Sequence, residues 1–171
     1  MLWSDTKDLV SQYTKNNPGC FNLEKTLLGF VLDGQSWCGK EGSKETFTKL
    51  CPESNGCENS PYRSFWRKTS AQFAAHACEE VTAMLNGGRK EPFDPNSCFA
   101  LEVENLRSSV VSRLNVVLVD GKESMCNSEN LQALWVELNK KGINHNCKPA
   151  STADVKKCEW NKTNPCGVCL F

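Results

Sequence analysis

Eleven cysteines in 171 residues constrain this chain more than any other feature of it. In a reducing compartment every one of those thiols would have to be kept reduced or bound to metal, whereas an oxidising compartment turns them into cross-links. Metal binding needs His/Cys clusters at ligand spacing, yet the chain has two histidines, His76 and His145, neither beside a close Cys-x-x-Cys. The best metal set, Cys147, Cys158, Cys166 and Cys169, is weaker than a disulfide framework. Cys166-Gly167-Val168-Cys169 has a thiol-redox spacing, but such pairs sit where a strand meets a helix, and this one sits at the end of the chain. The expectation is an exported, disulfide-stapled domain, extracellular or luminal.

No segment approaches the roughly 18 consecutive apolar residues of a membrane span, and Met1-Leu2-Trp3-Ser4-Asp5 is not a signal peptide. Cysteine richness without an export signal predicts that the chain lacks the front of a longer protein, and that any membrane attachment depends on an anchor outside this sequence. Lys+Arg and Asp+Glu each number 20, so no overall field recruits nucleic acid or an acidic membrane. Asn161-Lys162-Thr163 is one glycosylation acceptor, which makes a glycoprotein reading available without adding weight to it.

The first half reads as helical and the second as alternating, an α/β (α+β) chain with a mainly helical part over 1–95 and an α/β part over 96–171. Asn22 is placed to cap a helix through Leu23, Thr26, Leu27, Phe30 and Val31. Residues 39–61 read as a long loop. A helix opens at Ser64 and carries Phe65, Thr69, Phe73, Ala77, Val81 and Leu85 to a stop at Asn86-Gly87-Gly88. Phe99 to Leu106 alternates like a strand, and Val110 to Val119, with Val116-Val117-Leu118-Val119, suits a strand buried on both faces. Asn130 to Lys141 has helical spacing and ends at Gly142, before a short strand from Ile143 to Lys148. Strand, helix, strand with short joints predicts a parallel crossover.

Few residues declare chemistry by spacing. Trp66 and Ser70, four apart on a helix, share a face suited to a flat ligand with polar edges, although core packing explains them as well. Glu102 and Glu104 would share one face of a strand, ordinarily a solvated one. Glu24 and Asp33 resemble surface charge, and Trp3 and Trp37 resemble core anchors.

The motifs taken together say more. Leu2-Trp3-Ser4, Asn22-Leu23-Glu24-Lys25-Thr26-Leu27-Leu28-Gly29-Phe30, Trp37-Cys38-Gly39, Cys51-Pro52, Ser64-Phe65-Trp66 with Ser70, Met84-Leu85-Asn86-Gly87 and Glu102-Val103-Glu104-Asn105-Leu106 resemble, in order, the ADP-ribosyl cyclase family. The match runs from Trp3 to about Cys166. The resemblance implies a cleft between the two parts and an enzyme that breaks the nicotinamide–ribose bond of NAD, giving ADP-ribose or cyclic ADP-ribose, the latter a calcium-signalling molecule. NAD is then substrate and not cofactor, and neither a bound cofactor nor a metal is implied. Glu102 matches the catalytic glutamate, Trp3 and Trp66 two aromatic walls, Ser4 a substrate contact, and Ser70 the serine facing the reacting ribose. Glu24 and Asp33 match acidic residues at the nicotinamide end, Glu24 also biasing cyclisation against hydrolysis.

The resemblance further implies bridges Cys38–Cys51, Cys126–Cys147 and Cys158–Cys166. It leaves Cys57 and Cys78 with partners upstream of Trp3 in relatives, and makes Cys20, Cys98 and Cys169 additional, with Cys20 or Cys98 as substitute partners. Lys25 and Asp5 depart from the family pattern, and the run from Asn96-Ser97 to Glu102 is one residue shorter. A homodimer is left open, and the alternative function is a catalytically silent ectodomain of the same family serving as a receptor or binding module.

Overall fold

A computed structural model describes residues 1–33, 38–39, 46–47, 61–158, 166 and 171. The elements run β1 (Leu2–Ser4), α1 (Lys7–Asn16), a 3-10 turn (Leu23–Lys25), α2 (Leu27–Leu32), β2 (Cys38–Gly39), β3 (Thr46–Phe47), α3 (Pro61–Ala75), β4 (Glu79–Asn86), α4 (Cys98–Asn105), β5 (Val111–Val119), a second 3-10 turn (Glu123–Asn127), α5 (Glu129–Lys141), β6 (Asn144–Ala150) and α6 (Thr152–Cys158). Four strands form one parallel sheet in the order β1-β4-β5-β6, while β2 and β3 make a small antiparallel pair. The sheet draws β1 and β4 from residues 1–95 and β5 and β6 from 96–171, so it crosses the expected division, and the first part is less helical than its spacing suggests.

Side chains alternate to two cores. Leu2, Ala83, Leu85, Val116 and Leu118 meet α3, α4 and α5 on one face, and Met84, Val117 and Val119 meet α1 and α6 on the other. The apolar run in β5 is therefore buried on both sides, as parallel strands require. In α5, Leu131, Leu134 and Leu138 are fully buried and contribute about 1.5–3 kcal/mol apiece. Gly142 closes that helix with φ 72°, the left-handed conformation that a side chain would strain. The crossover into β6 is parallel, as expected.

Three segments depart from their sequence patterns. The helix expected from Ser64 to Leu85 stops at Ala75, and Val81 to Leu85 form the interior of β4. Spacings of four fit a strand period as well as a helical one, and the pairing of β4 with β5 over eight positions decides between them. Glu79, with φ 59°, begins that strand through an irregularity in register.

The strand expected from Phe99 to Leu106 is the helix α4. Ser97 caps it, its Oγ accepting from the Ala100 amide at 3.1 Å, and Phe99, Val103 and Leu106 bury one helical stripe. The helix expected after Asn22 is broken into a 3-10 turn and α2, with Thr26 as the cap that accepts from Gly29 N at 3.1 Å. Gly29 sits so close to the turn that an added Cβ would lie 2.0 Å from the Leu23 carbonyl oxygen. The helix thus docks through its glycine, and Leu27, Phe30 and Val31, expected to face the core, are exposed.

Cys126 and Cys147 are bridged, with Cα atoms 5.7 Å apart. Cys166 joins Cys20, not Cys158; their Cα atoms are 4.9 Å apart, and Thr82 Oγ1 donating to the Cys166 carbonyl at 2.6 Å holds the segment there. Cys158 is disulfide-bonded to another partner. Cys78 and Cys98 are free thiols, so neither Cys20 nor Cys98 substitutes as a partner for Cys78. Trp37, Cys51, Cys57, Cys169 and Asn161 to Thr163 lie outside the described residues, as does most of the loop expected over 39–61. Among the described residues no helix is long and apolar enough to cross a membrane.

Candidate active site

The packing of α3 against α4 builds one wall of a cleft of about 510 Å³. On α3, Tyr62, Trp66 and Ser70 recur every four residues and line it in a row. Tyr62 and Phe65 brace Trp66 edge-on, with centroids 6.1 Å and 5.4 Å away. The Trp66 indole nitrogen is buried without a protein partner, a donor in the cleft wall that a ligand could satisfy. From α4, Glu102 reaches the same space, and its carboxyl bonds to the Ser70 hydroxyl.

Helical geometry separates the two glutamates that a strand would have paired. Glu102 and Glu104 are about 200° apart around α4, so Glu102 is 6% exposed while Glu104 stands in solvent. Burial, the dominant influence, pushes the Glu102 carboxyl up to about 8; the Ser70 bond and the Met1 amino group pull it down, and Glu24 pushes it further up. A buried carboxyl of this kind favours a cationic ligand, whose charge stabilises the carboxylate.

The opposite wall comes from the carboxyl end of β1, the first 3-10 turn and the end of α2. Trp3 Nε1 donates to Glu24 Oε2 at 3.2 Å, which fixes the indole. Burial raises the Glu24 carboxyl above its usual range. Lys7 pairs with Asp33, and that bond raises the lysine. Ser4 and Asp5 complete this side, and Asp5 also pairs with Arg89.

Trp3, Ser4, Glu24, Asp33, Trp66, Ser70 and Glu102 all line this one cleft. The structure adds residues that no motif singled out, among them Lys7, Tyr62, Arg63 and Cys98. Tyr62 could have been found one turn before Trp66. Cys98 could not, because its place depends on α4 being a helix. Burial raises its thiol, which lies close enough to bond Ser70. Two indoles, a serine-held buried carboxyl and two further acids can hold a flat cation and steady positive charge that develops beside it.

The profile described as ADP-ribosyl cyclase matches residues 1–167. The ADP-ribosyl cyclase/cyclic ADP-ribose hydrolase 1 of Rattus norvegicus is 37% identical over 154 residues, covering 86% of this chain and 51% of that protein. The ADP-ribosyl cyclase/cyclic ADP-ribose hydrolase of Aplysia californica is 33% identical over 122 residues, covering 70% of this chain and 43% of that one. Among solved structures, porcine CD38 with a covalent intermediate, ribo-F-ribose-5'-phosphate, superposes with a TM-score of 0.76 at 37% identity, covering 88% of this chain and 67% of that one. This chain spans about half the length of the first relatives it matches.

Proposed function

Because this chain belongs to the ADP-ribosyl cyclase family, we propose that it cleaves the nicotinamide–ribose bond of NAD, with Glu102 as the catalytic carboxylate. The buried Glu102, bonded to Ser70 in an indole-walled cleft, is the observation that carries this reading.

Nicotinamide leaves NAD neutral, because its ring nitrogen is already cationic, so no acid need protonate the leaving group. The difficult part is positive charge on the ribose carbon as the bond lengthens. A carboxylate in low dielectric stabilises that charge strongly. When the pyridinium enters between Trp3 and Trp66, it favours loss of the Glu102 proton, and the anion is generated where it is used. Ser70 donates to one carboxylate oxygen and keeps the other toward the sugar. Glu24 and Asp33 stand at the nicotinamide end. Attack by water on the ribose gives ADP-ribose and a proton; attack by the adenine of the same molecule gives cyclic ADP-ribose and a proton. Exclusion of water sets the ratio.

On this reading NAD and cyclic ADP-ribose are ligands that are consumed or made, and no resident cofactor takes part. The Cys20–Cys166 and Cys126–Cys147 bridges support an extracellular or luminal place of work. The division at residue 95 is carried forward in the same sense, with Glu102 on α4 brought from the later part to a cleft whose other residues, on α3, β1, the first 3-10 turn and the end of α2, come mostly from the earlier one. Incubation of the folded chain with NAD should release nicotinamide, and Glu102→Gln should slow that release about 1,000-fold. Undiminished release from that variant would remove Glu102 from its role.

A further inference from the structure

The wall that carries Glu24 and Trp3 is braced from outside the cleft. Glu24 and Lys25 are neighbours in the first 3-10 turn, about 120° apart around it, so the two side chains leave it in different directions. Glu24 lines the cleft. Lys25 turns the other way, its Nζ donating to the Thr14 carbonyl and, at 3.4 Å, to the Cys20 carbonyl. Thr14 belongs to the last turn of α1, where carbonyls run out of helical donors and an ammonium complements the dipole. Cys20 is fully buried and bridged to Cys166, whose carbonyl accepts from Thr82 Oγ1 on β4 at 2.6 Å. One path of contacts therefore joins the central sheet to the turn, through Thr82, Cys166, Cys20 and Lys25.

The turn has little to hold it from within. It is three residues long, and Asn22 at its start gives it no side-chain cap. The Asn22 side chain is buried, and its nitrogen and oxygen both lack a protein partner among the described residues. Two backbone bonds close the turn, Lys25 N to Asn22 O at 3.2 Å and Thr26 N to Leu23 O at 3.0 Å. So short a helical segment keeps its shape only through tertiary contacts. Its Glu24 carboxyl nevertheless fixes the Trp3 indole, at 3.2 Å. The charges that act on Glu24 are those of Lys7 and Asp33, so Lys25 influences it by position and not by field.

Resting on the NAD-cleaving reading, we propose that Lys25, Cys20 and Cys166 are positioning residues for the wall formed by Glu24 and Trp3. They set how tightly the pyridinium is held and leave the chemistry at Glu102 untouched. Binding energy of this kind is shared by the ground and transition states, so its loss appears in KM and not in kcat. Because the lysine and the bridge meet at the Cys20 carbonyl, their effects should not add.

Kinetics of nicotinamide release from NAD, paired with the affinity for 1-methylnicotinamide, a pyridinium cation with no ribose to lose, supply the test. Lys25→Met keeps the stem and removes the ammonium, at an exposed position that leaves the core intact. It should raise KM for NAD and Kd for the cation about fivefold each, with kcat within about twofold of the parent. Lys25→Arg should restore most of both. Cys20→Ser combined with Cys166→Ser should shift KM and Kd in the same direction, and adding Lys25→Met to that pair should cost less than it does alone. Unchanged KM and Kd in Lys25→Met, failure of Lys25→Arg to restore them, or strictly additive effects overturns the positioning role and leaves NAD cleavage standing. No release from the parent, with the cation still held more weakly by Lys25→Met, overturns NAD cleavage and leaves the positioning of the wall.

Discussion

The two walls of the cleft are built to different standards. On the side of α3 and α4, Ser70 is 2% exposed and Glu102 is 6% exposed, each held by helix packing and bonded to the other. On the facing side, the Lys7 and Asp33 side chains are 40% and 36% exposed, and single polar contacts position them. One wall can therefore impose a strong field on a bound ligand, while Lys7 and Asp33 on the other can mainly orient it, because water screens those two charges.

That contrast breaks most visibly at Glu102. Replacing it by Gln should lower nicotinamide release about 1,000-fold, the scale of removing one preorganised electrostatic group. The same substitution should stabilise the fold. Since the folded carboxyl titrates at about 8, above its unfolded value of 4.5, the native state holds the extra proton between those values. Stability from Glu102 is thus present at low pH and lost as pH rises through 8. Glu102→Gln should melt above the parent at pH 9, with the gap closing toward pH 4. A gap independent of pH would mean that the carboxyl is not buried.

Ser70→Ala should cost about tenfold in kcat/KM by leaving the carboxyl without its donor. The Ser70 bond lowers the Glu102 titration, so its loss should also shift the acid limb of the pH profile upward. A smaller activity change with no shift would assign Ser70 to packing alone. Trp66→Phe, which keeps a ring but weakens the cation–π contact, should cost about threefold, seen chiefly in KM. The exposed side should give least. Lys7→Ala should change kcat/KM by about twofold, an effect that fades in high salt. A larger loss at Lys7 than at Ser70 would invert the comparison of the walls.

How much of this was legible differs by segment. For α5, β5 and β6 a single period, a buried apolar run and the Gly142 stop agree, and the structure follows them. At α4 the alternation of Leu101 and Val103 with Glu102 and Glu104 competes with the spacing of Phe99, Val103 and Leu106, and the Ser97 cap decides for a helix. That local choice has a chemical consequence, since a strand gives no reason to prefer Glu102 to Glu104 and a helix buries one of them. At Val81 to Leu85 the pattern fits both periods, and only pairing with β5, distant in sequence, separates them. The site residues carry a signal as family motifs; of them, only Trp66 and Ser70 also share a helix face by spacing. The exchange of partners that gives Cys20–Cys166 is a tertiary event, and spacing along the chain carries no record of it.

Strand β1 is three residues long and has no partner until β4, about 80 residues later, is available. During synthesis the Trp3 segment must therefore wait, unpaired, while helices α1 and α3 emerge and form from local contacts. The wall that carries that indole closes by a long-range search, while the opposite wall needs only α3 and α4, which are separated by β4 alone. A kinetic probe placed on Trp3 should accordingly report a slow step in closing the cleft.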